Sequence, residues 1–336
     1  MTIFSRRRDD AREPWQAPKS DLADEALIIP PCDLWDADQS QKDCDTSTYS
    51  PHDEELSEKI AFNTGQHCWA FMGSAGGVGT TSLSVQIAFE LVKKLEGQSK
   101  VNGEKNGSQV CLIDLDFETG NCAHHLDMSP SVNLEDLNVE ASRIDAALAQ
   151  SYITEHKSGL QVMAAAPIIG ANSKVKAQVV LALLDALTDS FPYVILDLPT
   201  SWQNWTPPVL AGSDFIGLLT DMTIPSLHSA KSKYIQCDSL YGNDVAIDII
   251  LTKFERRMFK NTLKLTDAKK VLQTDIFGTS CADPASVLEA VNCGTPVGEL
   301  LPESRYAKDS RKLLQAILSK TKTHVFSVEN SLAANA

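Results

Sequence analysis

A glycine-rich stretch with the residue types needed to hold an anion spans residues 73–82, which read GSAGGVGTTS. An apolar segment, 69–72, precedes it, and apolar side chains at helical spacing follow it at Leu83, Ile87 and Leu91. Glycines let the backbone curl so that successive N–H groups point inward, and the start of a helix adds its dipole and its free amides. The stretch is therefore predicted to be a phosphate-binding turn between a strand and a helix.

This turn departs from the phosphate-loop template GxxxxGK[ST] at two positions. Thr81 retains the hydroxyl that would bind Mg²⁺, but Ser74 stands at the first glycine and Thr80 at the lysine. A charge-assisted contact is worth roughly 1.5–3 kcal/mol, so losing the ammonium weakens the binding of a triphosphate. We expect seven residues to bind the nucleotide: Gly76, Gly77, Val78, Gly79, Thr80, Thr81 and Ser82.

Three aspartates stand at the ends of apolar segments. Asp114 and Asp116 close the segment VCLIDLD, and Asp197 closes YVILD. Ligands of open α/β sheets bind at the carboxyl ends of the strands. We expect Thr81, Asp116 and Asp197 to hold Mg²⁺, partly through water, and Asp116 to orient a water molecule for catalysis. A solvated strand end or a helix N-cap is the simpler interpretation of each aspartate alone.

Short apolar runs alternate with helical patterns from residue 68 onward, as in β-α units. Most runs are continuous, which is typical of strands covered on both faces, so we predict an α/β fold with a mostly parallel twisted sheet and helices on both faces. Strands are predicted at 68–72, 110–114, 160–164, 193–197, 215–220 and 246–251. Helices are predicted at 81–95, 144–150, 173–190, 226–241, 267–273, 284–291 and 308–319. The polar residues 97–107 are predicted to form a surface loop.

The charge of the chain is uneven over its 336 residues, which sum to a formal net charge of -14. Residues 1–60 contain 15 acidic and seven basic residues and are predicted to be a disordered acidic N-terminal arm. Residues 65–320 would form the folded domain and 321–336 a flexible C-terminal tail. Because DNA and anionic lipid repel an acidic chain, we expect no nucleic acid as a partner.

The eight cysteines are scattered without a CxxC pair, and we expect them to be reduced thiols, several of them in the core. No apolar run reaches about 18 residues, so we expect no direct membrane insertion and a cytoplasmic protein.

These motifs together resemble the deviant Walker motifs of the MinD/ParA ATPases: GGVGTT at 76–81, DLD at 114–116 and DLP at 197–199. The segments DLPTSWQNWT at 197–206 and SLHSAK at 226–231 look like those of the CpaE/TadZ branch, which positions the Flp (Tad) type IV pilus machinery. The resemblance covers about residues 65–320 and implies a P-loop NTPase fold. It places Ala75 at the family's signature lysine, and Thr252, Lys253 and Asp283 beside the base.

The resemblance implies a localisation and assembly factor for Flp (Tad) pili, whose degenerate site binds ATP or ADP and Mg²⁺ weakly or not at all. Its partners would be pilus and secretion machinery proteins at the inner membrane, with recruitment to the cell pole or the membrane periphery. Trp202 and Trp205 would mark a partner surface, although packing within the fold is the simpler interpretation of both.

Three alternatives stay open at this point. A slow MinD/ParA-type ATPase, whose nucleotide cycle drives homodimerisation, would use the retained Thr81, Asp116 and Asp197. A DNA-partitioning ATPase would need a basic patch, for which the local cluster is Lys253, Arg256, Arg257 and Lys260. A redox role like that of nitrogenase reductase would need paired cysteines at defined loops, and the thiols show no such arrangement.

Overall fold

The computed structural model describes residues 67–102, 109–172, 174–242, 245–255 and 263–334. Its centre is a sheet of eight strands in the order β3-β4-β2-β5-β1-β6-β7-β8. All neighbouring strands are parallel except β3 and β4, which pair antiparallel. The strands are β1 His67–Gly73, β2 Val110–Asp114, β3 Thr154–Glu155, β4 Gln161–Ala164, β5 Tyr193–Leu198, β6 Phe215–Thr220, β7 Ile247–Phe254 and β8 Ile276–Cys281.

Helices cover both faces of this sheet. They are α1 Thr80–Asn102, α2 Cys122–His125, α3 Ala146–Ser151, α4 Ala177–Ser190, α5 Thr206–Ala211, α6 Ile224–Tyr241, α7 Leu265–Leu272, α8 Pro284–Asn292, α9 Val297–Leu300 and α10 Arg305–Ala334. A further turn of 3₁₀ helix lies at Ala141–Arg143.

The core consists of two apolar layers, one on each face of the sheet. Successive residues of β1 alternate between them: Ala70 and Met72 join the layer under α4, α5, α6 and α7, whereas Trp69 and Phe71 join the layer under α1 and α10. Because both faces are covered, the central strands have almost no exposed surface. This arrangement holds the carboxyl ends of β1, β2 and β5 rigidly side by side.

The six predicted strands and seven predicted helices are all present; most ends shift by a few residues, whereas α1 and α10 extend well beyond their predicted ends. The sequence missed β8, because Gly278, Thr279 and Ser280 interrupt its apolar pattern. The glycine is needed there, since a Cβ at Gly278 would overlap Cδ2 of Leu313 on α10. The two-residue β3 and the short helices α2, α5 and α9 also escaped prediction, because so few residues carry no periodicity.

The predicted surface loop at 97–107 is wrong for its first half, since α1 continues to Asn102. One internal glycine costs a helix only about 1 kcal/mol, and the neighbouring Glu, Gln and Lys residues are good helix formers. At the other end of the chain, α10 is helical to Ala334, where the sequence predicts a flexible tail at 321–336. The predicted acidic arm, 1–60, lies outside the described residues. None of the described helices carries an apolar stretch long enough to cross a bilayer.

Candidate functional site

The glycine-rich stretch 73–82, which joins β1 to α1, has the backbone shape of an anion-binding loop. We call it the cradle. Gly77 and Gly79 adopt positive φ angles of 74° and 95°, a region that residues with a Cβ rarely enter. A Cβ built on Gly76, Gly77 or Gly79 meets no atom within 4 Å, so the concave side of the turn is open. Gly73, in contrast, is packed tightly, because a Cβ there would lie 2.7 Å from the Thr80 hydroxyl.

Thr81 and Asp197 form the polar contact that links the cradle to the sheet. The Thr81 hydroxyl donates to Oδ2 of Asp197 over 2.7 Å, and the Ser84 hydroxyl donates to Oδ1 over 3.0 Å. These contacts follow from the fold, since α1 packs against β5, which pairs with β1 and carries Asp197 next to its last residue. The structure thus brings together two of the three residues predicted to hold Mg²⁺.

Asp114 lies beside Asp197, because the two are paired in the register of the parallel strands β2 and β5. Both carboxyl groups are almost fully buried. Asp114 accepts backbone hydrogen bonds from Asp116 and Cys122, each over 3.1 Å. Burial, followed by the neighbouring charge of Asp197, raises the pKa of Asp114, and burial likewise raises the pKa of Asp197. A cation or a proton is therefore needed at this pair near neutral pH.

Cys122 is the third member of this buried group, which the sequence did not reveal. Its thiol lies 3.6 Å from Oδ2 of Asp197, and one ligand atom from each of Asp114, Cys122 and Asp197 lies within 4.8 Å of the others. Burial, and then the two carboxylates, raise the pKa of Cys122, which keeps it protonated. Cys122 is the first residue of α2, and it reaches this position because the chain before α2 turns back toward the ends of β2 and β5. No sequence spacing predicts that turn.

Asp116 occupies a turn directly after β2. Its Oδ1 accepts from the backbone N–H groups of Glu118 and Thr119, and its Oδ2 accepts from the Thr119 hydroxyl over 2.6 Å. The buried side chain of Asn172, another residue that the sequence did not single out, donates to Oδ1 over 3.2 Å. These bonds show that Asp116 orders the loop after β2, and its predicted catalytic role stays a prediction.

Two lysines from other parts of the chain reach the carbonyl groups of the cradle. Lys233 of α6 donates to the carbonyl oxygen of Gly73 over 2.7 Å, and Lys253 of β7 donates to that of Gly77. Lys253 has a φ of 51°, an uncommon backbone conformation for a residue other than glycine. Ala75 and Thr80, the two positions without lysine, are partly exposed.

An apolar cavity of about 470 Å³ opens beside the cradle. Thr252, Lys253 and Asp283, the residues expected beside a base, all line it, together with Val78, Gly79 and Ser82 from the cradle. The rest of its wall comes from Glu255, Cys281, Ala282, Pro284, Val287, Leu288, Val291 and Tyr306, and most of these side chains are apolar. The Thr252 hydroxyl donates to the Val78 carbonyl over 2.7 Å, which joins the cavity wall to the cradle. Such a cavity, with few polar groups, suits a flat organic ring.

Other predicted residues lie away from this site or outside the described chain. Trp205 is fully buried against Phe117, with ring centroids 6.3 Å apart, so its assignment to a partner surface is wrong. Trp202 is partly buried and packs on the same apolar layer. Of the predicted basic cluster, Lys253 lies on a strand rather than a helix, and Arg256, Arg257 and Lys260 lie outside the described residues.

The residues present fit a Mg²⁺-nucleotide. Oxygen atoms of Thr81 and Asp197 are the hard ligands that Mg²⁺ prefers, and the buried carboxylate pair lacks a lysine or arginine partner among the described residues. The open glycine cradle and the adjoining apolar cavity have the layout that phosphates and a base require.

Comparison with known proteins supports the fold. No protein-family model matches the chain, and no curated protein sequence matches it. Among solved structures, a ParA family ATPase from Chlorobium tepidum TLS is similar over 76% of this chain and 99% of its own, with 17% identity and a TM-score of 0.63. The cell division ATPase MinD of Pyrococcus furiosus is similar over 75% of this chain and 98% of its own, with 20% identity and a TM-score of 0.60.

A third similar structure contains a ligand. It is the septum site-determining protein MinD of Pyrococcus horikoshii OT3 complexed with Mg-ADP, with 17% identity, a TM-score of 0.58, and coverage of 75% of this chain and 96% of its own. At these identities the similarity is one of fold. The chain therefore has the α/β P-loop fold seen in MinD and ParA ATPases.

Proposed function

We propose that this chain is a CpaE/TadZ-like localisation and assembly factor for Flp (Tad) pili, with a nucleotide site that binds ATP weakly. One observation carries the proposal: the cradle and its Thr81–Asp197 contact are intact, whereas Ala75 and Thr80 stand where phosphate-binding lysines would be. The sequence segments 197–206 and 226–231 support the assignment to the pilus branch.

The geometry supports binding more than turnover. When bound, Mg²⁺ would neutralise phosphate charge and be held by Thr81 and, through water, by Asp197. The chain itself contributes backbone amides to the phosphates and an apolar wall to the base. Hydrolysis demands additional stabilisation of charge in the transition state, for which loop lysines are a usual source, so their loss reduces the rate more than the affinity.

Exposed apolar side chains at the carboxyl edge of the sheet support a role in binding other proteins. Ile169 is 93% exposed in the loop after β4, and Ile168 in the same loop and Ile224 at the start of α6 are also exposed. Clusters of exposed apolar residues commonly mark protein interfaces. We propose that proteins of the pilus and secretion machinery bind this edge and recruit the cytoplasmic protein to the inner-membrane periphery or the cell pole.

Deletion of the gene from its host tests the biological role. The proposal predicts fewer or misplaced pili, with restoration by the wild-type gene and by a Trp202→Phe variant, whose ring still packs. An Ile169→Asp variant, which folds because its side chain is exposed, should fail to restore placement. Normal pilus number and position in the deletion strain would end this proposal.

A slow ATPase whose nucleotide cycle drives homodimerisation is the second candidate. The observation in its favour is the retention of Thr81, Asp116 and Asp197 around one edge of the sheet. Sedimentation of the purified protein at millimolar Mg-ATP and Mg-ADP tests it, alongside phosphate release. A nucleotide-dependent dimer with slow turnover, lost in Asp197→Asn, would favour this candidate over a passive scaffold. An unchanged monomer without phosphate release would exclude it.

A further inference from the structure

Lys233 places an ammonium group at the junction of the cradle and the loop that follows β5. Its side chain leaves α6 and contacts two carbonyl groups, that of Gly73 over 2.7 Å and that of Thr200. Gly73 is the last residue of β1 and the first residue of the cradle. Thr200 follows Asp197 by three residues, so the ammonium lies between the end of β1 and the segment that carries the aspartate proposed to hold Mg²⁺.

The charge of Lys233 has no counter-ion among the described residues. Both of its hydrogen-bond partners are neutral carbonyl groups, and no carboxylate accepts from it. Buried charges are normally paired, because removal from water is costly. Burial accordingly lowers the pKa of Lys233 to about 8. An ammonium has three donors, so two carbonyl contacts leave one for an anion or a water molecule.

A second contact from α6 fixes this helix to the start of the cradle. One turn before Lys233, the Ser229 hydroxyl donates to the carbonyl oxygen of Ser74 over 2.6 Å. Two successive carbonyl groups, of Gly73 and Ser74, are therefore bound by side chains one helical turn apart on α6. This arrangement holds the ammonium in place instead of leaving it at the end of a free side chain.

We propose that Lys233 supplies the positive charge that Ala75 and Thr80 no longer bring to the phosphate loop, and that it favours a bound phosphate chain through space. The inference rests on the proposed nucleotide site and identifies the residue that makes binding possible without loop lysines. Salt screens the interactions of a partly buried charge much less than those of an exposed one. Lys233 acts here as a positioning and electrostatic residue, not as a catalytic one.

Equilibrium binding of a fluorescent ATP analogue to the full chain tests the proposal. Lys233→Met removes the charge, Lys233→Gln keeps a donor for the carbonyls without the charge, and Lys233→Arg keeps both. Lys231→Met, on the same helix, is the matched control. We expect Met and Gln to weaken binding about tenfold, as for the loss of one charge-assisted contact, while Arg and the control bind like wild type.

The outcomes separate this inference from the function on which it rests. A wild-type chain without detectable binding at millimolar nucleotide would remove the nucleotide site itself. Wild-type binding that is equal in all the variants would overturn only the role of Lys233. Binding that is weakened by Met but retained by Gln would show a purely structural tie between the loops and would also overturn it. Thermal unfolding of each variant without ligand confirms that it is folded.

Discussion

Asp114 and Asp197 occupy paired positions at the carboxyl ends of β2 and β5, where both carboxyl groups are buried and share one small space with the Cys122 thiol. Their raised pKa values mean that ionising both carboxyl groups in the folded protein is costly when no cation is bound. Thr81 and Ser84 hydroxyls reduce this cost for Asp197 without neutralising it. Without a cation, the pair therefore lowers the stability of the folded protein, and a bound cation would remove this cost.

Asp197→Asn should therefore stabilise the metal-free protein, because it removes a buried charge beside the Asp114 carboxyl group. The raised pKa of Asp197 sets the direction of this change, which is a higher free energy of unfolding. The same change should abolish any effect of Mg²⁺ on nucleotide binding. Urea unfolding in EDTA, and nucleotide binding with and without Mg²⁺, measure the two effects.

Asp221→Asn is the control for this change. Hydrogen bonds from Thr223 outweigh partial burial at Asp221 and lower the pKa of its carboxyl, so the substitution should destabilise the protein slightly. If Asp197→Asn were as destabilising as the control, the cost assigned to the carboxylate pair would be wrong.

A tryptophan in place of Val287 should fill the apolar cavity beside the cradle. The substitution adds a ring to a wall that Thr252, Asp283 and Tyr306 share, and so it competes with a bound base. We expect ATP to bind at least tenfold more weakly. The binding of pyrophosphate, which needs only the cradle, should stay unchanged. Ile235→Trp, at an exposed position of α6, should change neither ligand. Equal loss of both ligands in Val287→Trp would indicate general disruption instead of a base site.

Substitutions of Trp205 separate core packing from partner binding. Trp205→Ala should cost about 3–5 kcal/mol, because it leaves a large cavity against Phe117. Trp205→Phe should cost much less, since the buried indole N–H has no hydrogen-bond partner in the described part of the chain. Chemical unfolding gives both values. A strong loss of pilus function in a fully stable Trp205→Phe variant would return this residue to the partner surface.

Much of this architecture was predictable because the central strands are continuous apolar runs that end in aspartates. The sheet, its mostly parallel direction and the meeting of Thr81 with Asp197 all follow from that pattern. What escaped prediction depends on tertiary packing. Lys233 and Asn172 reach the site from distant elements, and their surroundings in the sequence carry no signal of that contact. Trp205 is the opposite case: it stands out in the sequence, but its side chain is buried in the core and forms no surface.

The pH dependence of stability offers a separate check on Lys233. Its pKa is about 8 in the folded protein, against 10.5 for an ordinary lysine side chain in water, so the unfolded state binds more protons between these two pH values. Stability contributed by this residue should therefore rise as the pH rises from about 8 to 10.5. The nearby thiol of Cys237, whose pKa burial raises to about 11, works in the opposite direction.

The pH profile of stability for Lys233→Met is subtracted from that of the wild type. The difference isolates the contribution of the lysine from that of the thiols. The free energy of unfolding of the wild type, minus that of the variant, should increase between about pH 8 and pH 10. Urea unfolding at several pH values across this range measures it. A difference that falls with pH over the same range would mean that the folded protein favours the charged lysine, contrary to the effect of its burial.

The central claim is that the anion cradle persists without its loop lysines, and titration of a fluorescent ATP analogue into the wild type and into an Ala75→Lys/Thr80→Lys variant tests it most directly. Each restored ammonium should strengthen binding by roughly 10- to 100-fold, the equivalent of a charge-assisted contact of about 1.5–3 kcal/mol. We predict weak, Mg²⁺-dependent binding to the wild type and binding at least about 100-fold tighter to the double variant. Undetectable binding to both proteins, with both folded, would contradict the account.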